Sequence, residues 1–245
     1  MSRRGGPTST KPEAEHLADL IEFARLEVES ADVEPWAATI AELHRNGTLD
    51  VEAAHWAVCL YNTYDSLESA FCVLDRWPSP AAWASASDKA ECADYNCTQE
   101  RRNLRGGRVI KRMQSYTDLL AGMTQEAWLR QPLRYDEPGK DFRRLTDWMR
   151  VVWGVGRQSA FEWAEFVQKV HGWPIDCDDA QLWESEGPRR SLQRLYGNPD
   201  PSPAWLDARA HDCKTHLEAA GVTLEWVDFE TIICDFNVMR DGRYY

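Results

Sequence analysis

The segment Val152-Trp153-Gly154-Val155-Gly156-Arg157-Gln158-Ser159-Ala160 limits the fold more than any other stretch of the chain. Apolar residues recur at helical spacing on both sides of it: Phe142, Leu145, Trp148, Met149 and Val152 before, and Phe161, Ala164, Phe166, Val167 and Val170 after. Two helices joined by a tight Gly-x-Gly turn are therefore expected at about residues 142–170. Both glycines can take positive φ and leave the backbone bare, so that successive N–H groups point outward beside a helix N-terminus. A nucleic-acid phosphate fits such a cradle, which makes Gly154, Val155, Gly156 and Arg157 candidate phosphate ligands.

Charge narrows what such a cradle can serve. With 40 acidic against 28 basic side chains the 245-residue chain carries a net charge of −12. That excludes a protein coating nucleic acid through bulk electrostatics, so any DNA contact has to be local. The cations do concentrate: residues 101–112 hold six basic side chains in twelve positions. Gly106 and Gly107 interrupt this run and would weaken a plain solvated helix, which favours anion binding. Arg101, Arg102, Arg105 and Arg108 are the candidate ligands there.

The rest reads as helices. Segments are expected at residues 16–28 and 35–43, and after Asp50 as a cap. Others follow at Ser79-Pro80, over residues 107–120 and from Thr124 to Leu129. Residues 131–140 read as a loop. Beyond the hairpin, helices are expected at 189–196, 204–220 and 227–239, with residues 222–226 a possible short strand lacking a partner. Hydrophobic content of 43% and twelve Trp mark a buried core. Residues 1–12 are polar and lack the apolar core of a signal peptide, so they read as a disordered tail ahead of one helical domain at 13–245. No apolar run approaches a membrane span, which points to a cytoplasmic protein without a membrane partner. Seven scattered cysteines suggest reduced, buried thiols. His211-x-Cys213-x-x-His216 would spread ligands around a helix, so no metal site is expected.

The hairpin resembles the helix-hairpin-helix of DNA repair glycosylases, where Gly-Val-Gly-Arg is followed by a polar residue and Ala. In those enzymes the second helix stops at a Gly-aromatic-Pro break, and a catalytic Asp stands five residues after the Pro. Here Gly172-Trp173-Pro174 is followed in that register by Asp179, next to Asp178. Two positions depart from the pattern. Trp153 stands where Pro is usual, and Gln158 replaces the Lys nucleophile of strand-cutting members. An amide cannot form a Schiff base, so lyase chemistry at that position is excluded.

Further blocks narrow the resemblance. Tyr61-Asn62-x-Tyr64-Asp65, Arg101-Arg102-Asn103-Leu104-Arg105-Gly106-Gly107, the hairpin, and Cys234-Asp235-Phe236 with a Gly-Arg-Tyr-Tyr ending resemble phage DNA-hypermodification enzymes. These are the amino acid:DNA transferases, also called α-glutamyl/putrescinyl thymine pyrophosphorylases. The resemblance covers roughly residues 50–245. It implies replacement of a pyrophosphate on a 5-hydroxymethyluracil-derived base in double-stranded DNA by a small amine or amino acid.

That chemistry sets roles. Guanidinium groups, here Arg101, Arg102, Arg105 and Arg157, would stabilise a departing pyrophosphate. Asp179, supported by Asp178, would face the electron-poor carbon or take the amine's proton. Tyr61, Asn62, Tyr64 and Trp153 would wall a pocket for the flipped base, and Asn103 and Asp235 are further candidates. No cofactor is required, although Mg²⁺ accompanying the pyrophosphate is compatible with the chemistry. The expected architecture is all-α and glycosylase-like: two helical lobes, a DNA groove between them, the hairpin at its rim, acting as a monomer. A monofunctional base glycosylase and a non-catalytic helix-hairpin-helix binding module remain as alternatives.

Overall fold

Side-chain caps decide where many of the helices begin. Asp50, Ser66, Ser79, Thr124 and Ser202 each accept a hydrogen bond from the backbone N–H three residues on, which satisfies a donor that a helix start leaves unpaired. The computed structural model describes residues 13–30, 33, 35–98 and 104–240. Among the described residues there are twelve α-helices and no strand. They are α1 (Glu13–Ser30), α2 (Pro35–Arg45), α3 (Val51–Tyr64), α4 (Leu67–Arg76), α5 (Pro80–Ser85) and α6 (Gly107–Leu120). There follow α7 (Gln125–Arg130), α8 (Pro138–Met149), α9 (Arg157–His171), α10 (Glu186–Tyr196), α11 (Pro203–Ala219) and α12 (Trp226–Arg240). The all-α expectation holds. None of these helices is long and apolar enough to cross a membrane. The tail at 1–12, the residues Arg101, Arg102 and Asn103, and the Gly-Arg-Tyr-Tyr ending lie outside the described residues.

The chain divides into two compact units. In Trp36–Asp176, α3 is the central element: every side chain from Ala54 to Tyr64 is buried, and the helix packs against α4, α7 and α9. Around it Trp56, Tyr116, Trp128, Phe142, Phe161 and Trp163 are almost fully enclosed. Burying one large apolar side chain contributes about 1.5–3 kcal/mol, so this aromatic cluster carries much of the unit's stability. The second unit joins Met1–Pro35 to Cys177–Tyr245. There α1, α10, α11 and α12 enclose Leu20, Leu192, Leu206, Phe229, Ile232 and Ile233.

Three expectations are corrected. Residues 222–226 form no strand; the Val222 N–H closes the end of α11 by donating to the Leu217 carbonyl at 2.9 Å, and Trp226 already opens α12. The loop expected to run to Lys140 stops earlier, because Pro138 occupies the first turn of α8, where its missing N–H costs nothing. Asp141 ties that loop down by accepting from the Arg134 and Tyr135 N–H groups at 2.9 and 2.6 Å. Helix α4, capped by Ser66, was not expected, since its apolar residues run together from Ala70 to Leu74 and do not recur at helical spacing over a long stretch.

Candidate functional site

Between α8 and α9 the chain makes a turn closed by two short backbone bonds, Val152 N–H to Met149 O and Val155 N–H to Val152 O, both 3.1 Å. Gly154 sits at φ +80°, a region that disfavours any side chain. Gly156 does not share this constraint: its φ is −91°, so the expectation of positive φ at both glycines is corrected. Gly156 is the N-cap of α9 and brings no side chain to it. Helix geometry therefore gives the N–H groups of Gln158 and Ser159 no acceptor inside α9. The side chain of Val155 is buried and anchors the turn, while the Arg157 guanidinium lies 4.4 Å from the Phe161 ring centroid.

A second bare helix start lies in the same unit. Gly106, at φ +63° and ψ −137°, is the N-cap of α6, which again has no side-chain cap. Arg105, Arg108 and Lys111 are exposed around it. Arg112 departs from the expectation for the basic run. It is fully buried and donates to both the side chain and the backbone carbonyl of Asn62.

These two starts are joined. Leu104, buried beside Gly106, places a methyl 3.4 Å from where a Cβ on Gly154 would stand. The Trp153 N–H donates to Ser115 Oγ at 2.9 Å, and Lys111 Nζ stands 4.3 Å from the Trp153 ring centroid. An open groove of about 630 Å³ follows, lined by Gly107, Ile110, Lys111, Gln114, Ser115, Asp118 and Leu119 of α6 and by Val151 and Trp153 of the turn.

Several expected site residues lie elsewhere. Tyr61 and Tyr64 are buried, with their hydroxyls on Asp65 Oδ1 at 3.1 Å and the Cys92 carbonyl at 2.7 Å, so they pack the core and present no open wall. Asn62 is also buried; it donates to the Ser159 carbonyl at 3.0 Å and to Glu162 at 3.2 Å, bracing the first turns of α9 against α3. Asp178, Asp179 and Asp235 belong to the other unit. There Asp178 is exposed, and Asp179 Oδ1 accepts from the Gln181 N–H at 2.7 Å. The nearby Asp207 carboxyl is pushed above the usual carboxylate range by burial first and by the charge of Asp179 second, with His211 pulling the other way.

The amino acid:DNA transferase family matches residues 28–243. The chain belongs to that family. No curated protein and no solved structure matches it. The family's description is of transferases that act on DNA with amino acids. Sequence reasoning passed over Gln114, Ser115 and Asp118. Their signal was the outward stripe of α6, which reads as a solvated face until the hairpin turn is seen to stand over it.

The corrected backbone separates the two glycines by experiment. Gly154→Ala is expected to lower stability by about 1 kcal/mol, because it forces a side chain into the left-handed region. Gly156→Asp keeps an allowed φ and adds a good N-cap, so thermal stability should hold while its carboxylate repels a phosphate at α9. Denaturation together with DNA-binding titrations checks both, and unchanged DNA affinity in Gly156→Asp would remove α9 from the interface.

Proposed function

We propose that this amino acid:DNA transferase replaces the pyrophosphate of a pyrophosphorylated 5-hydroxymethyl-pyrimidine in DNA with an amine drawn from an amino acid or polyamine. The observation that carries this reading is the joining of the Gly106-Gly107 helix start to the Gly154-Val155-Gly156 turn through Leu104–Gly154 and Ser115–Trp153. Two uncapped helix N-termini with Arg105, Arg108 and Arg157 beside them supply donors for two anions, a DNA phosphate and the leaving pyrophosphate. The α8–α9 pair acts as the helix-hairpin-helix that positions DNA, and Trp153 offers its ring to the base drawn out of the stack. Asp179, five residues after Pro174 and in the other unit, is the separate candidate for the carboxylate of the reaction.

In the reaction the bond from the base's exocyclic methylene carbon to oxygen breaks, and its electron pair leaves with pyrophosphate. The amine lone pair forms the new carbon–nitrogen bond, and its surplus proton passes to a carboxylate or to water. Charge grows on the leaving oxygens in the transition state, so the arginines should act on turnover more than on binding. The test is incubation with pyrophosphorylated hydroxymethyluracil DNA and an amine mixture, followed by mass analysis of nucleosides and an assay for pyrophosphate. Adducts and pyrophosphate should appear in equal amounts. Arg105→Ala should lower kcat about tenfold, the worth of one charged hydrogen bond, with a smaller change in DNA affinity. Abasic sites without pyrophosphate would overturn the reading in favour of a base glycosylase.

A further inference from the structure

We propose that the groove between α6 and the hairpin turn is the subsite for the incoming amino acid, with Asp118 receiving its ammonium and Lys111 its carboxylate. The inference rests on the transferase reading and assigns one of its two substrates a place.

The sequence builds the groove from an ordinary amphipathic helix. Val109, Arg112, Met113, Tyr116 and Leu120 turn inward, which leaves Lys111, Gln114, Ser115 and Asp118 along the opposite stripe. Such a stripe usually meets only water. Here Trp153 is held over it by the bond from its backbone N–H to Ser115 Oγ, and Val151 closes the same side. The open groove of about 630 Å³ is larger than one amino acid, so a pyrimidine against Trp153 can share it.

The charges in the groove match a zwitterion. Lys111 and Asp118 are seven residues apart, about 10 Å along the helix and on nearly one face. Helical side chains lean toward the helix N-terminus, so Lys111 does not reach over Asp118 and the distance of about 10 Å between them stays open to one α-amino acid. Lys111 now rests over the Trp153 ring, an exposed contact worth only about 0.5–1 kcal/mol, so a carboxylate can draw it away. Asp118 is oriented by Gln114, whose Nε2 donates to Oδ1 at 2.7 Å. Gln114 is held in turn by Lys89, whose Nζ donates to Gln114 Oε1 at 3.3 Å. The amide thus fixes the carboxylate's position while its second oxygen remains available to an ammonium. Ile110, Leu119 and Val151 supply apolar surface for the amino acid's side chain.

The test measures amino acid binding and transfer separately. Each standard amino acid is titrated singly against the full chain by NMR, without DNA, for the wild type, Asp118→Asn and Lys111→Met. Both side chains lie on the outer stripe of α6, so both variants should fold normally. At least one amino acid should bind the wild type, and each variant should weaken it about tenfold or more. In the transfer assay Asp118→Asn should raise KM for every amine. Lys111→Met should lower the preference for an amino acid over a diamine about tenfold, since a diamine has no carboxylate to lose. Amino acid binding that neither variant changes, or no binding with or without DNA, would overturn the subsite. Binding that depends on both residues, with no transfer to any DNA, would leave the subsite standing and overturn the proposed reaction instead.

Discussion

Acidification from pH 7 to pH 4 is expected to unfold the Trp36–Asp176 unit, driven by two histidines buried in neutral form. His55 is fully enclosed on α3, and its ring lies 3.7 Å from that of His171 at the end of α9, with His44 of α2 5.2 Å from His171. All four ring nitrogens of His55 and His171 are buried with no hydrogen-bond partner. The His55 and His171 rings meet at a tilt of 31°, and among the described residues no three His, Cys, Asp or Glu side chains are arranged to hold a metal ion. Burial lowers the His55 pKa to about 2, helped by the charges of His171, Arg130 and His44. Burial lowers His171 to about 3, helped by His44 and Arg130.

The sign follows from which state binds protons. Both groups have folded pKa values below the unfolded value of 6.5, so the unfolded chain takes up protons first. Their penalty is absent above pH 6.5 and grows as pH falls towards 3. Two extra protons in the unfolded state give a slope of about 2.7 kcal/mol per pH unit. Between pH 6.5 and pH 4 that slope removes about 7 kcal/mol, enough to exhaust a net stability at the lower end of the usual range of about 5–15 kcal/mol. His55→Phe keeps the ring's shape and removes a buried unsatisfied polar group. It should raise stability at pH 7 by about 1 kcal/mol and remove about half of the slope. Urea denaturation at half-unit pH steps measures both; an identical slope in wild type and His55→Phe would show that carboxylates elsewhere govern acid unfolding.

The histidine cluster shows where sequence reading stops. His44, His55 and His171 lie on three helices, and nothing in their spacing brings them together; only the packing of α2, α3 and α9 does. Helix starts were legible because their cause is local: Asp50, Ser79 and Thr124 cap the residues that follow them. The hairpin was legible for the same reason, as a glycine turn between two apolar stripes. Which glycine needed positive φ was not, since Gly154 and Gly156 are alike in composition and differ only in the turn's path. The aromatic pocket expected at Tyr61 and Tyr64 dissolved because every side chain of α3 from Ala54 to Tyr64 is buried, so no face of that stretch was left for a ligand. Arg112 reads as one cation among six until its helical phase turns it inward to Asn62.

Asp179→Asn is expected to lower turnover about a hundredfold or more while leaving folding and DNA affinity near wild type. The carboxylate now accepts from the Gln181 N–H at 2.7 Å, and an asparagine oxygen can accept the same bond, so the turn into Leu182–Glu184 should keep its shape. What the substitution removes is charge. A carboxylate that balances positive charge developing at the reacting carbon, or that takes the amine's proton, loses both abilities as an amide, and general acid–base catalysis of this kind typically contributes 10²–10⁴-fold. The loss should therefore fall on kcat rather than on binding. Asp207 provides an internal check. The charge of Asp179 is the second cause of its raised pKa, so carboxyl titration by NMR should find Asp207 lower in the variant. A lowered Asp207 with near-normal turnover would show that the charge was removed and was not needed. Asp179 would then be a turn residue, and exposed Asp178, tested as Asp178→Asn, would become the candidate one position earlier in the register from Pro174.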